Sequence, residues 1–424
     1  MKSYPAYKHS GVPWLGEIPE HWTFVRTKTL LRPKKVLLGN NERKLPMLSL
    51  TKNGIILRDL STGKGKFSAD ESNFLIVEPG DFVFCHFDVQ ETPRTVGLSS
   101  LSGYITGAYN TYKYTGGFPR FFYYLQEYYD DHKLLRPLYG GMRNTIKPGR
   151  FLSMRVALPP ETEQSAIAAY LDKKCGEIDE MVRRRQAIIE RLRELKQALI
   201  AKAVTKGLHP EVPMKDSGIP WLGQIPEGWE IERLQWHLEE IRETNSPVKT
   251  NQVLSLTNKR GIIPYEEKGN QGNTAKEKVD EYKLAYPDTL VINSMNVIIG
   301  SVGICRYFGC VSPVYYVYKA VGNTDLTYVN YIFQTSLFQK ELRRHAKGIL
   351  EIRLRLSSSD IRKCLVPVPP LPEQQEIAAY LDKKCAAIDE LISRHGQIVE
   401  KLRELKASTI AHVVTGKIDI RERA

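Results

Sequence analysis

Two stretches of the chain carry apolar residues at alternating steps of three and four. From Cys175 the series runs through Ile178, Val182, Arg185, Ile189, Leu192, Lys196, Leu199 and Ala203. From Cys385 it runs through Ile388, Ile392, His395, Val399, Leu402, Lys406, Thr409 and Val413. A seven-residue repeat of this kind predicts long helices that pack along one seam in coiled-coil fashion. The apolar run is broken at the same steps in both series, so the two helices are expected to pair with each other. The expected packing residues are Ile178, Val182, Ile189, Leu192, Leu199, Ile388, Ile392, Val399, Leu402 and Val413. Start signals are Pro159-Pro160 followed by Glu161 and Glu163, and Pro372 followed by Glu373, which place acid in a positive first turn. Gly207 and Gly416 stand where a left-handed cap would end each helix. About forty-five residues at 1.5 Å each give helices of about 65 Å. A break is expected near Asp172 and Asp382, where the pattern is less regular.

Between the helical stretches the pattern is that of short strands and tight turns. Phe82-Val83-Phe84-Cys85 and Leu290-Val291-Ile292 read as strands, and Gly, Pro and Asn punctuate the rest. Tyr109, Tyr112, Tyr315 and Tyr318 alternate as strand residues do, which favours sheet packing over base stacking. Helices are expected around residues 121–129 and 328–344.

The order of these parts repeats. The segment from Ser10 to Trp22, which contains Trp14-Leu15-Gly16-Glu17-Ile18-Pro19-Glu20-His21-Trp22, returns 207 residues later from Ser217 to Trp229. Ile167 to Cys175 returns unchanged as Ile377 to Cys385, and Leu192 to Lys196 as Leu402 to Lys406. Weaker matches pair Leu48-Ser49-Leu50-Thr51 with Leu254-Ser255-Leu256-Thr257, Asp81 with Asp288, and Tyr109–Lys113 with Tyr315–Lys319. One unit is thus present twice, and its mixed regions diverge most. The expected fold is α+β: two globular mixed α/β domains separated by two long antiparallel coiled-coil helices, with a pseudo-twofold internal repeat. The expected boundaries are 1–160 for the first domain with its leading segment, 161–207 for the central helical region, 208–370 for the second domain and 371–424 for the last helical region.

Composition narrows the function. With 61 Lys+Arg against 48 Asp+Glu in 424 residues, the formal net charge is +13, a surplus that suits a polyanion but also simply aids solubility. No apolar run approaches a membrane span and the first ten residues lack a signal-peptide core, so a cytoplasmic location is expected. Six cysteines are too few for a disulfide scaffold, and they are expected to be reduced and buried. The search for catalytic motifs returns nothing persuasive. Gly63-Lys64-Gly65-Lys66 has the wrong spacing for a phosphate loop, and there is no dinucleotide turn, zinc helix or serine elbow. Pro287-Asp288 could open a nuclease carboxylate cluster but lacks its acid-x-Lys partner. His395, on the helical seam, reads as a register-setting core residue rather than a ligand. No catalytic residues and no metal ligands are assigned.

Recognition of DNA would use Arg or Lys for guanine, Asn or Gln for adenine and any cation for phosphate. Loops rich in these supply the candidates. In the first domain they are Lys52, Asn53, His86, Gln90, Arg94, Arg143, Asn144 and Lys147; in the second, Asn258, Lys259, Arg260, Asn293, Ser294, Asn296, Lys347, Arg353 and Arg355. Each taken alone also reads as an ordinary solvated side chain. A duplicated scaffold or dimerisation device without nucleic acid is the competing reading from the repeat alone. Two unlike heads on a rigid spacer would instead suit two separated, unlike half-sites on a duplex whose groove repeats about every 34 Å.

The Trp-Leu-Gly-Glu-Ile-Pro-Glu-His-Trp segment, the stretch Pro370-Leu371-Pro372-Glu373-Gln374-Gln375-Glu376-Ile377-Ala378-Ala379-Tyr380-Leu381-Asp382, and Val413-Val414-Thr415-Gly416-Lys417 resemble the specificity subunit of type I restriction-modification systems. The resemblance covers essentially the whole chain. It implies two target recognition domains, each reading one half of a bipartite asymmetric double-stranded DNA site, and helices that set the spacer. It further implies no catalytic centre and no cofactor in this chain. Two modification (methyltransferase) subunits would bring S-adenosylmethionine for N6-adenine methylation, and two restriction subunits would bring ATP-driven translocation and cleavage with Mg2+. The specificity component of a type II system with fused cleavage and methylation is the alternative. His86–Gln90 and Ser294–Ile298 do not match each other, so base-contacting residues are not carried over by motif.

Overall fold

The computed structural model describes residues 3–12, 15–39, 45–59, 73–257, 261–269, 278–346 and 355–421. It divides into two compact units, one formed by residues 1–185 with 397–424 and the other by residues 186–396. Two long helices, Glu161–Lys206 of 46 residues and Leu371–Val414 of 44, supply segments to both units. No described helix is long and apolar enough to cross a membrane.

In the first unit, a four-stranded sheet runs in the order Leu31–Lys34, Asn110–Tyr114, Asp81–Phe84, Val96–Leu98. Around it lie two-stranded pairings of Tyr7–His9 with Glu17–Pro19, Thr23–Arg26 with Arg155–Leu158, Leu48–Thr51 with Gly54–Leu57, and Leu75–Val77 with Gly103–Ile105. Aromatic side chains fill the core. Phe82, Phe84, Tyr112, Phe121, Phe122 and Phe151 are all buried, because alternate strand residues and one face of the helix Pro119–Asp131 point at the same space.

The second unit has the same pairings in the same order. Its sheet runs Leu238–Ile241, Tyr315–Ala320, Thr289–Asn293, Val302–Cys305, with Met214–Asp216 on Gln224–Pro226, Glu230–Arg233 on Leu365–Val368, Leu254–Thr257 on Gly261–Pro264, and Lys283–Ala285 on Gly309–Val311. The registers show which residues correspond. Tyr112 lies opposite Phe82 and Tyr318 opposite Leu290, so Phe82 matches Leu290. The left-handed residue before each of these strands is therefore Gly80 in one unit and Asp288 in the other, and the sequence pairing of Asp81 with Asp288 is off by one. The stretch expected as one helix over 328–344 is two, Leu326–Gln334 and Ser336–His345, because Thr335 leaves helical geometry and its side chain caps the second by accepting from Phe338 N.

The long helices are unbroken at Asp172 and Asp382, against the sequence expectation. Both carboxylates instead anchor the adjoining globular part: Tyr124 Oη donates to Asp172 at 2.7 Å and Tyr331 Oη donates to Asp382 at 2.6 Å. The polar interruption in the pattern marks a docking contact. All eighteen seam positions from Cys175 to Ala203 and from Cys385 to Val413 are buried or half-buried. In the first unit Lys406 holds Asp179 at 2.7 Å, and in the second Lys196 holds Asp389 at 2.7 Å. Both helices end at left-handed glycines, Gly207 at φ 70° and Gly416 at φ 71°. Each glycine meets the tryptophan and proline of a Trp-Leu-Gly segment: Trp229 and Pro226 for Gly207, Trp22 and Pro19 for Gly416.

The second of these junctions is held by side chains rather than by a short chain connection. Glu163, buried in the first turn of its helix, accepts from Tyr4 Oη at 2.5 Å and Trp22 Nε1 at 3.0 Å, and pairs with His21 Nε2 at 2.7 Å. Tyr7 Oη donates to the Gly416 carbonyl, and the Arg421 guanidinium covers the Tyr4 ring. In the second unit, where six residues link Gly207 to Met214, the matching Trp229 Nε1 has no such partner among the described residues.

Candidate nucleic-acid interface

Residues 86–92 of the first unit face a hairpin made by Tyr139–Gly140 and Thr145–Ile146. Backbone bonds join them: Ile146 N to His86 O at 2.8 Å and Asp88 N to Arg143 O at 2.9 Å. Side chains repeat the link. Arg143 pairs with Asp88 at 2.8 Å, Asn144 Nδ2 donates to Glu91 at 3.3 Å, and Arg136 Nε donates to Gln90 Oε1 at 2.8 Å. Asp88 and Asn144 both hold left-handed backbone, at φ 47° and 44°, a conformation that these two residue types accept more readily than most. Gln90, Arg143 and Asn144 thus come together at one surface, with Lys147 at the exposed start of the next helix.

The second unit has an equivalent place. Leu356 N bonds Ser294 O at 3.1 Å, matching Ile146 on His86, so Arg355 stands beside the loop of Asn293, Met295 and Asn296. Asn293 Oδ1 accepts from Met295 N and shapes the turn, while Met295, Asn296 and Arg355 are exposed. That backbone bond is shared, but the chemistry presented differs. Lys52 and Asn53 lie apart from this cluster, exposed at the turn between Leu48–Thr51 and Gly54–Leu57. Asn258, Lys259, Arg260, Lys347 and Arg353 fall outside the described residues.

Three candidates are corrected by burial. His86 is 5% exposed among the rings of Phe84, Tyr112 and Phe151, where loss of solvent pushes its pKa down to about 4. Ser294, at the matching position, is wholly buried. Arg94 is turned inward onto Glu127 at 3.1 Å and Asp131 at 3.0 Å, with Asp130 at 3.6 Å. Cationic and polar side chains in a loop carry no sign of which way they point, so these three were indistinguishable from surface residues. They support the loops rather than face a ligand.

Other surface features were missed by the sequence reading. Arg136 and Arg150 are exposed beside the hairpin, and Met142 at its tip is entirely exposed. On the helices, Met181, Ile188 and Leu195 recur every seven residues one step before the seam, as do Leu391, Ile398 and Leu405, and all six are exposed. The second set had a readable signal, since its spacing is that of the seam. All six cysteines are buried free thiols, raised in pKa by that burial, Cys175 to about 11 and Cys364 to about 12. Among the described residues, no group of three or more His, Cys, Asp or Glu side chains is placed to hold a metal ion.

A family model described as the type I restriction modification DNA specificity domain matches residues 226–400. Curated relatives agree along a longer stretch. The putative type I restriction enzyme MjaX specificity subunit of Methanocaldococcus jannaschii is 25% identical over 286 residues, 66% of this chain and 63% of that protein. Over residues 226–400 this chain carries the type I specificity domain, and along the longer stretch it is similar to type I specificity subunits. The MjaVIII specificity subunit of the same organism, 24% identical over 290 residues, aligns over 64% of each chain. The matches therefore span a little under two thirds of the length of these specificity subunits. A chain from a structure concerned with complex assembly and conformational transition of the type I R-M system shares the fold, with a TM-score of 0.67 over 95% of this chain and 99% of that one at 16% identity.

Proposed function

We propose that this chain is the non-catalytic DNA-reading subunit of a type I restriction-modification complex, each globular part reading one half of a bipartite asymmetric double-stranded site. The observation that carries this reading is the pair of equivalent loop clusters built on one repeated strand frame. One offers Gln90, Arg143 and Asn144, the other Asn293, Asn296 and Arg355, residue types suited to base edges and phosphates. Identical frames with unlike contacts suit unlike half-sites. The +13 charge supplies affinity for the backbone that weakens with salt.

The long helices set the spacer in this reading. Their pairing is antiparallel, which the ion pairs Asp179–Lys406 and Lys196–Asp389 support, since partner numbers fall as residue numbers rise. The exposed stripes at Met181, Ile188, Leu195 and at Leu391, Ile398, Leu405 suit two modification subunits docking through helices of their own. S-adenosylmethionine, ATP and Mg2+ belong to the modification subunits and to two restriction subunits, and the assembly works in the cytoplasm.

The deciding experiment replaces residues 24–160 with those of a relative and maps methylated adenines in cells carrying the complete system. One half-site should change while the other and the spacing stay. A change in both halves, or in neither, would overturn the division of labour.

A further inference from the structure

Met142 projects from the first unit's loop cluster at the tip of the Tyr139–Gly140 and Thr145–Ile146 hairpin, and its side chain is entirely exposed. A lone surface methionine is unremarkable by itself. Its mounting is not. The hairpin is fixed at its base by the Ile146–His86 and Asp88–Arg143 backbone bonds, the Arg143–Asp88 ion pair and the Asn144–Glu91 bond, with two non-glycine residues held in left-handed backbone. Asp and Asn adopt that backbone at little cost, and the bonds at the base hold it in one arrangement. The tip is thus presented rigidly, with little order left to gain on binding.

Cations flank the hairpin. Arg136, Arg143, Lys147 and Arg150 are all exposed, and the Arg150 guanidinium reaches within 3.9 Å of where a Cβ on Gly140 would stand. Asp88 and Glu91 are the carboxylates that face them, each engaged at the hairpin base. Four positive groups along a hairpin that ends in one flexible apolar side chain complement a ligand whose rim is anionic and whose interior is flat and apolar. Stacked base pairs between phosphates have that chemistry. We propose that Met142 acts as a wedge, entering one base step of the duplex and partly unstacking it while the surrounding cations hold the flanking phosphates. In the second unit the exposed Met295 lies on the other partner of the equivalent cluster, so the wedge is assigned to the first half-site.

This inference rests on the DNA-reading function proposed above. The test uses the full chain assembled with its modification subunits and duplexes carrying the methylation-mapped site, with 2-aminopurine placed at successive positions of the first half-site. Fluorescence should rise at one step with the wild type and with Met142→Leu. Met142→Ala should lose that rise and bind about tenfold more weakly, and an abasic position at the same step should restore its affinity. Target binding with no step-specific rise, or a Met142→Ala protein equal to wild type in both readouts, overturns the wedge alone. Failure of the wild type to prefer its target over a scrambled duplex overturns the recognition reading and the wedge together.

Discussion

His86 and Ser294 hold one structural position in two versions, each accepting on its carbonyl from a backbone N–H further along the chain, Ile146 in one unit and Leu356 in the other. In the first unit that position has a pH signature. Because burial lowers the His86 pKa to about 4 from an ordinary value near 6.5, the folded state resists a proton that the unfolded chain accepts. The stability this represents is fully present above pH 6.5 and is lost as pH falls from there to about 4, a loss of about 3 kcal/mol. His86→Phe should fill the same aromatic pocket and remove that component. Urea midpoints across this range should therefore fall less steeply for the variant, and parallel slopes would refute the account. Arg94 makes the complementary prediction, since Arg94→Met leaves Glu127, Asp130 and Asp131 facing one another, with Lys133 paired to Asp130 and with Arg120 and Lys406 acting on Glu127. Unfolding free energy should drop by about 3 to 5 kcal/mol, with half-site choice unchanged by methylation mapping. Neither residue could be sorted from a true contact in the sequence, where composition marks a loop as polar but says nothing of which side chains turn inward.

At the scale of elements, the helices were the most legible part, because burial along one seam writes itself directly as a seven-residue period. The caps were legible for a similar reason: only a residue without Cβ enters left-handed backbone freely, so Gly207 and Gly416 announced both helix ends. What the glycines meet was hidden, since it depends on segments distant in sequence. A Cβ at Gly416 would run into the Pro19 ring, whereas one at Gly207 would meet Glu373 Oε1 at 3.1 Å. Both alanine variants pay about 1 to 2 kcal/mol for the backbone. Gly416→Ala must also displace a ring that cannot swing aside, adding about 1 to 3 kcal/mol. Thermal unfolding should rank Gly416→Ala below Gly207→Ala, and the reverse order would mean that the Pro19 contact yields freely. The divergent strands were less legible than the helices, for short β-runs take their register from partners far along the chain, which is how Asp81 came to be matched with Asp288 instead of Thr289.

For the molecule as a whole, the repeat was readable because the Trp-Leu-Gly segments and the helices keep the same contacts in both copies, Trp22 and Pro19 at Gly416 as Trp229 and Pro226 at Gly207. The loop clusters diverge for the opposite reason: beyond His86 or Ser294 their bonds run among their own exposed and half-buried residues and not into the shared core. That contrast gives the proposed spacer role its sharpest test. Seven residues inserted after Arg185 and seven after Gly396 keep the seam positions in phase, because a full heptad returns every a and d residue to its own face. Each helix then lengthens by about 10 Å, equivalent to about three base pairs along a duplex. Methylation mapping should find both half-sites unchanged and the distance between them longer by up to that amount. An insertion of five residues at the same places would put the seam out of phase and should abolish methylation outright. A heptad insertion that altered the bases read, or left the spacing untouched, would show that something other than helix length sets the distance.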